Sequence, residues 1–196
     1  YLMPRFEGLG FMRYLPVFAR NWAWRAIDAL VVDRALAKPL NAFRKKLGLG
    51  PVKRIMHEWW HSPLRVLALF PPWFGPPQPD WPPQTVLTGF PLFDEKEIHA
   101  LSPEVEAFLG AGEKPIVFTP GSAMLQGEKF FEAAALACAK LGKRGILLTR
   151  FPKQLPGNLP EGVRHFDYVP LSSLLPRAAC MVYHGGIGTC AQALAA

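Results

Sequence analysis

Short apolar runs alternate with longer helix-like stretches from residue 114 onward. The runs are four to seven residues long and are bounded by polar residues, glycines or prolines, which predicts buried strands. Strands are predicted at residues 116–119, 144–149, 163–169 and 180–183. Helices are predicted at residues 128–141, which Gly142 ends, and at residues 171–178. Strands that alternate with helices imply right-handed crossovers and a parallel sheet, so the predicted fold class is α/β.

The pattern before residue 114 is less regular. Residues 21–47 mix apolar with basic positions and contain Pro39, which predicts a helix that is interrupted there and resumes over residues 40–47. Further strands are predicted at residues 65–70 and 84–89. Residues 71–83 hold seven prolines, so this segment must be extended and cannot form a helix or a central strand. Residues 94–109 predict a charged helix that connects the two halves.

The most informative stretch is residues 180–196, where a short strand is followed by a glycine-dense turn and a helix-forming sequence. The turn contains Gly185, Gly186 and Gly188. Glycines let the backbone approach a phosphate closely, and free N–H groups at a helix start attract an anion. Thr189 is predicted to cap the helix, and His184 ends the strand within reach of a bound phosphate. Alone, a glycine turn of this kind fits dinucleotide enzymes, mononucleotide sites and plain tight turns.

The sequence from residue 184 to residue 196 closely resembles the donor-binding motif of GT-B glycosyltransferases, in the bacterial branch related to sterol and antibiotic glucosyltransferases and to rhamnosyltransferases. Residues 43–51 and 65–89 resemble the end of that family's acceptor domain. The resemblance implies a GT-B fold with a Rossmann-like parallel sheet. Its implied domains are the end of the acceptor domain (1–93), an interdomain linker (94–113) and the first half of the donor-binding domain (114–196). It also implies that the chain is part of a longer protein.

The resemblance further implies which residues bind the donor. The diphosphate is expected at Ser122, His184, Gly185, Gly186, Gly188 and Thr189, and the nucleobase at Tyr168 and Val169. In open parallel sheets ligands bind at the carboxyl ends of the strands, which is where these positions fall. The structural alternatives are a helix cap for Ser122 and core positions for Tyr168 and His184. No catalytic residue is expected in the chain, because the family's catalytic histidine and sugar-reading acidic residue match positions outside it.

The expected reaction is an inverting, metal-independent transfer of a hexose from a UDP- or dTDP-sugar to the hydroxyl of a lipophilic acceptor, without a cofactor. No Asp-x-Asp occurs, so the helix dipole, the glycine N–H groups and His184 would take the place of a metal ion. Trp59, Trp60, Trp73 and Phe74 indicate an apolar acceptor such as a sterol, lipid or polyketide. The alternatives are an epimerase of the same fold and a non-catalytic nucleotide-binding module. A Rossmann dehydrogenase is disfavoured. In those enzymes the glycine turn follows the first strand, whereas in this chain it follows the fourth.

The net charge of +7 is concentrated in residues 1–65, which hold twelve Lys or Arg and four Asp or Glu. All six tryptophans precede residue 82. A basic, Trp-rich segment fits contact with an anionic membrane or with nucleic acid, or else a solvated helix face with the tryptophans in the core, and the last interpretation is favoured. Nucleic acid is not an expected partner.

Metal-ligating and targeting patterns add little. His57 and His61 have the spacing of two ligands on one helix face, but no third ligand is apparent and Pro63 follows, so no metal site is expected. The three cysteines, at positions 138, 180 and 190, lack metal spacing and indicate reduced thiols. No membrane-spanning run or signal peptide is visible, so a cytoplasmic location is expected. Association of the cytoplasmic protein with a membrane surface is a further option.

Overall fold

The computed structural model describes residues 14–79, 81–94, 100–122 and 124–196. The chain divides into two compact units, with the boundary between Gly89 and Phe90. None of the described helices is both long and apolar enough to cross a membrane.

The first unit is built on one continuous helical segment. It consists of α1 (Val17–Ile27), a π-helical turn (Asp28–Val32) and α2 (Asp33–Lys46), and Gly48 follows with a φ of +70°. Because α2 runs through Pro39, the predicted interruption there is wrong. A proline removes one backbone donor, and side-chain contacts on both sides of it hold the helix. Asn41 both donates to the carbonyl of Val52 at 2.8 Å and accepts from its N–H at 2.7 Å.

Two acidic side chains of this segment fasten a second helical turn, Ile55–Trp59, against it. The carboxylate of Asp33 accepts two backbone N–H groups at 2.8 and 3.1 Å, and that of the buried Asp28 accepts two more at 3.0 Å each. The donors belong to Arg54, Ile55, Met56 and His57. N–H groups at a helix start have no acceptor within the helix, and the carboxylates supply it.

The rest of the first unit is a small parallel sheet with an aromatic cluster. Strands β1 (Val66–Ala68) and β2 (Thr85–Leu87) pair in parallel, shorter than predicted at both ends. The described part of the proline-rich segment between them contains no helix or strand. It begins with a turn rather than an extended stretch, because the N–H of Phe74 donates to the carbonyl of Pro71 at 3.0 Å. Phe70 packs edge-on against Trp81 with ring centres 6.0 Å apart.

The second unit contains a four-stranded parallel sheet in the order β5-β4-β3-β6. The strands are β3 (Ile116–Thr119), β4 (Gly145–Leu148), β5 (Val163–Phe166) and β6 (Cys180–Tyr183). All four predicted strands are therefore confirmed, but β6 lies at one edge of this sheet and has no buried residue, so its predicted burial is wrong. The prediction for β5 was three residues too long, because the chain leaves the sheet before Pro170, which restricts the residue preceding it.

Helices precede, connect and follow these strands. They are α3 (Pro103–Gly110), α4 (Glu128–Leu141), α5 (Leu171–Leu174) and α6 (Ile187–Ala195). The predicted bounds of α4 are confirmed, and Gly142 follows it with a φ of +60°. The chain after α5 tightens into a 3-10 turn that contains Pro176, so that predicted helix is shorter than expected. Residues 95–99 of the predicted connecting helix lie outside the described residues, and α3 forms in the part that follows.

Both faces of the sheet are covered, as parallel sheets require. On one face, Val117 and Ile146 pack with Val105 and Leu109 of α3 and with Leu174. On the other, the residues facing α4 are Phe118, Leu147 and Val163, which contact Phe131, Ala134 and Cys138. This packing fixes the carboxyl ends of β3, β4 and β5, from which the loops of the candidate site extend.

Candidate functional site

Two adjoining cavities open at the carboxyl ends of the strands. The first, of about 370 Å³, lies beyond β3, β4 and β5, and its walls include Thr149, Arg150, Asp167, Tyr168, Val169 and Leu171. The second, of about 410 Å³, lies between the loop after β3 and the start of α6, and its walls include Pro120, Met124, His184, Gly186, Ile187 and Gly188. Gly121, Ser122 and Thr189 line both cavities, which therefore form one continuous site.

The start of α6 provides free backbone donors to the second cavity. Gly186 is the N-cap and its carbonyl accepts the first helical hydrogen bond, from Cys190 N at 2.9 Å. The N–H groups of Ile187, Gly188 and Thr189 therefore have no acceptor within the helix. The prediction that Thr189 caps α6 is wrong, because the cap is Gly186 and the helix begins three residues earlier than a cap at position 189 would place it. Thr189 is instead the third residue of the helix, and it lines the cavity.

His184 occupies a slot formed by two glycines. A Cβ at Gly121 would lie 2.6 Å from Cε1 of the imidazole, and a Cβ at Gly186 would overlap its Nε2 atom. Only glycine at both positions leaves room for the ring in this place. His184 itself is exposed rather than part of the core, and Gly185 beside it has a φ of +84°, which favours glycine.

A tie between Tyr183 and Cys190 spans the glycine turn. A hydrogen bond to the Cys190 thiol, followed by partial burial, raises the pKa of the Tyr183 hydroxyl above its ordinary value. This contact joins the last residue of β6 to the first turn of α6.

Ser122 lies in the loop after β3, on the boundary between the two cavities. The N-cap of α4 is Gly127, so the alternative of Ser122 as the cap of that helix is wrong. The loop's entrance is fixed by a hydrogen bond from the N–H of Gly121 to Oγ1 of Thr119 at 3.2 Å.

Gln154 anchors the far side of the same loop, and sequence analysis missed it. Its side chain is only 2% exposed. Its Nε2 donates to the carbonyl of Met124 at 2.7 Å, and its Oε1 accepts from Oγ1 of Thr149 at 3.2 Å. Gly127 makes room for it, since a Cβ there would lie 2.7 Å from Oε1. A glutamine between prolines gives no sequence signal for this role, which depends on two loops meeting in space.

Tyr168 and Val169 both line the first cavity, but in different ways. Tyr168 is 39% exposed, which is not the burial expected of a core residue. Val169 is 2% exposed and packs in the core, so it faces the cavity with only a small part of its surface. The guanidinium of Arg150 lies over the ring of Tyr168, with Cζ 5.5 Å from the ring centre. Arg150 is a second site residue that the sequence analysis did not identify.

Residues 91–94 form a further wall of the site. Pro91, Phe93 and Asp94 line a third cavity of about 370 Å³ together with Tyr168, Thr189 and Gln192. Asp94 accepts a hydrogen bond from the N–H of Ser172 at 2.7 Å, and Nε2 of Gln192 donates to the carbonyl of Phe93 at 3.0 Å. These two bonds fasten the segment to α5 and α6 of the same unit.

The described residues contain no group of three His, Cys, Asp or Glu side chains placed to hold a metal ion. His57 is one of the two histidines with ligand-like spacing in the first unit. Its Nε2 accepts a hydrogen bond from Nε of Arg25 at 3.1 Å.

Comparisons with known proteins agree on one family. The family profile described as the C-terminal domain of erythromycin biosynthesis protein CIII-like proteins matches residues 146–196. Over 186 residues the chain is 34% identical to O-mycaminosyltylonolide 6-deoxyallosyltransferase of Streptomyces fradiae. The aligned region covers 90% of the chain and 39% of that protein. Over 167 residues it is 35% identical to sterol 3-beta-glucosyltransferase UGT80A2 of Arabidopsis thaliana, which covers 78% of the chain and 24% of that protein.

The fold has matching relatives among solved structures. The glycotransferase of kitacinnamycin superposes with a TM-score of 0.62 at 22% sequence identity, over 91% of this chain and 46% of that one. In sequence and in fold the chain is similar to GT-B glycosyltransferases of the antibiotic and sterol type. It spans less than half the length of each of these proteins.

The range that the family profile matches covers the candidate site only in part. Residues 146–196 include the start of α6, His184, Tyr168 and Val169, whereas Ser122 lies outside the matched range. The structure brings Ser122 to the same cavities through the parallel pairing of β3 with β6. The roles of these residues in binding a donor stay predictions, as do the acceptor-domain, linker and donor-domain assignments.

Proposed function

We propose that the protein transfers a hexose from a UDP- or dTDP-sugar to the hydroxyl of a lipophilic acceptor, with inversion at the anomeric carbon and without a metal ion or a cofactor. The observation that supports this most is the continuity of the two cavities. The second cavity presents the free N–H groups of α6 and the imidazole of His184. The first cavity, of about 370 Å³, is lined by the aromatic ring of Tyr168. A nucleoside diphosphate matches this pair of cavities, because its diphosphate suits the second cavity and its base suits the first.

In this proposal the diphosphate lies against the N–H groups of Ile187, Gly188 and Thr189. The partial positive charge at the start of a helix favours an anion there. Ser122 supplies a hydroxyl donor from the opposite loop, and His184 donates a further hydrogen bond. These groups stabilise the negative charge that grows on the leaving diphosphate as the bond to the sugar breaks.

The acceptor side of the proposal draws on two observations. The names of the relatives indicate O-mycaminosyltylonolide as the acceptor of the Streptomyces fradiae enzyme and a sterol as that of the Arabidopsis thaliana enzyme. The first unit of this chain exposes large apolar side chains, among them Trp59, Trp60, Trp73 and Phe74. Apolar surface of this kind suits an apolar acceptor better than a free sugar. Peripheral membrane contact and a cytoplasmic location stay predictions.

Turnover by the full-length protein tests the proposal. UDP- and dTDP-hexoses are incubated with sterol, polyketide, lipid, sugar and peptide acceptors, with and without EDTA, and the products are identified by mass spectrometry and by the anomeric coupling in NMR. The proposal predicts an inverted glycoside of an apolar acceptor, formed equally well with EDTA. Conversion of the nucleotide sugar without any acceptor would support an epimerase instead, and transfer only to sugars or peptides would contradict the lipophilic acceptor.

A further inference from the structure

We propose that Arg150 binds the nucleobase of the donor from the side opposite Tyr168, so that the base is held between the guanidinium and the phenol ring. The inference rests on the proposed function, because it requires a nucleotide in the cavity. Both residues line the first cavity, and Cζ of Arg150 lies 5.5 Å from the centre of the Tyr168 ring.

The backbone around Arg150 is held firmly while its side chain is exposed. On one side, the N–H of Thr149 donates to the carbonyl of Phe166 at 3.3 Å, and its carbonyl lies 2.8 Å from Nε2 of His165. On the other side, the N–H of Phe151 donates to Oγ1 of Thr149 at 3.1 Å. The guanidinium can therefore shift without any movement of β4.

The chemistry of the pair suits a planar aromatic ligand. A guanidinium is flat and permanently charged, stacks on aromatic faces and donates hydrogen bonds to carbonyl oxygens. Protein sites bind unpaired nucleobases by stacking them on aromatic rings and on arginine planes. A base between two planes needs roughly 7 Å, twice an ordinary contact distance. The exposed Arg150 side chain therefore has to shift outward by about 1–2 Å to admit the base.

The position of Arg150 favours the base over the diphosphate. The imidazole of His184 and the N–H groups of Ile187 and Gly188 belong to the second cavity, whose lining does not include Arg150. Ser122 and Thr189 line both cavities. Among the described residues, Arg150 makes no ion pair with a carboxylate. Asp167, which also lines the first cavity, instead lies 3.4 Å from Nε2 of His165. The guanidinium is thus available to a ligand in the first cavity.

Calorimetric titration of the full-length protein with UDP, dTDP and pyrophosphate tests the inference, with uridine measured by competition. Arg150→Ala is expected to weaken UDP and uridine binding by the same factor, about three- to thirtyfold, and to leave pyrophosphate binding unchanged. Arg150→Lys keeps the charge but loses the plane, and is expected to recover only part of the affinity. Lys153→Ala is the matched control, because it removes an exposed positive charge three residues further on that does not line the cavity.

Three results would overturn the inference. An equal loss of pyrophosphate affinity in Arg150→Ala would show that the residue acts on the phosphates. Wild-type affinity for both nucleotides in Arg150→Ala would remove its role while leaving the proposed function standing. Failure of the wild-type protein to bind UDP, dTDP or pyrophosphate would overturn the proposed function and this inference together.

Discussion

The imidazole of His184 lies so close to the backbone of Gly121 that a Cβ at position 121 would come within 2.6 Å of its Cε1 atom. Gly121 has a φ of +99° and belongs to the loop after β3, whereas His184 directly follows β6, the strand that pairs with β3. The place of the histidine therefore depends on a glycine far from it in sequence. This contact joins the glycine turn before α6 to the loop that carries Ser122.

Substitution of Gly121 tests that contact. Gly121→Ala is expected to push the His184 ring out of its slot and to strain a backbone with positive φ, with a cost of about 1 kcal/mol or more in the free energy of unfolding. Affinity for UDP or dTDP should fall at least tenfold if the histidine bond is lost. Gly157→Ala is the matched control, since a Cβ there meets no atom within 4 Å. Unchanged nucleotide affinity in a folded Gly121→Ala protein would contradict the account of the slot.

Gln154 is expected to stabilise the loop that carries Ser122. Gln154→Leu leaves the Met124 carbonyl and the Thr149 hydroxyl without their present partner, so the free energy of unfolding should fall by about 1–3 kcal/mol. Chemical denaturation measures the loss, and hydrogen exchange should show faster opening of residues 120–127. Gln126→Leu makes the same change at an exposed position of this loop. If the two variants prove equally stable, the anchoring role of Gln154 is wrong.

The three thiols should differ in reactivity. Burial, with a smaller contribution from Cys180, raises the pKa of the Cys138 thiol, so Cys138 stays protonated at alkaline pH values where an exposed thiol ionises. Its contribution to stability is present below the ordinary thiol pKa and is lost as the pH rises through the raised value. Labelling with iodoacetamide near pH 8, followed by mass spectrometry, should modify the exposed Cys180 first and Cys138 only after denaturant is added. Equal labelling rates in the native protein would contradict this.

Much of the second unit follows from its sequence. The runs that form β3 and β4 have few other ways to bury their apolar residues, and α4 combines strong helix formers with a terminal glycine. The order of strands and helices therefore predicted the parallel sheet. That order also predicted that Ser122, Tyr168 and the glycine turn would share one edge, because the carboxyl ends of parallel strands meet there. The structure brings these residues to adjoining cavities.

The rest depends on contacts between segments distant in sequence. The helix that continues through Pro39 is held by bonds of Asp33 and Asn41 to residues 52–55, which local propensity does not contain. The start of α6 is set by backbone conformation at Gly186, where no side chain supplies a cap. Arg150 reaches the site only because β4 and β5 are neighbours. Periodicity alone identifies none of these features.

The central claim is that His184 binds the diphosphate of a nucleotide donor. Loss of a hydrogen bond to a charged group costs roughly 1.5–3 kcal/mol, or about ten- to a hundredfold in affinity. His184 is exposed, so its removal should leave the fold intact. His61→Ala, which changes an exposed histidine of the first unit, is the matched control.

Calorimetric titration of His184→Ala in the full-length protein, alongside a melting curve, measures this directly. The account predicts that the affinity for UDP, dTDP and pyrophosphate falls by about ten- to a hundredfold while the melting temperature stays near that of the wild type. Wild-type affinity in a stably folded His184→Ala protein would contradict the donor-site assignment.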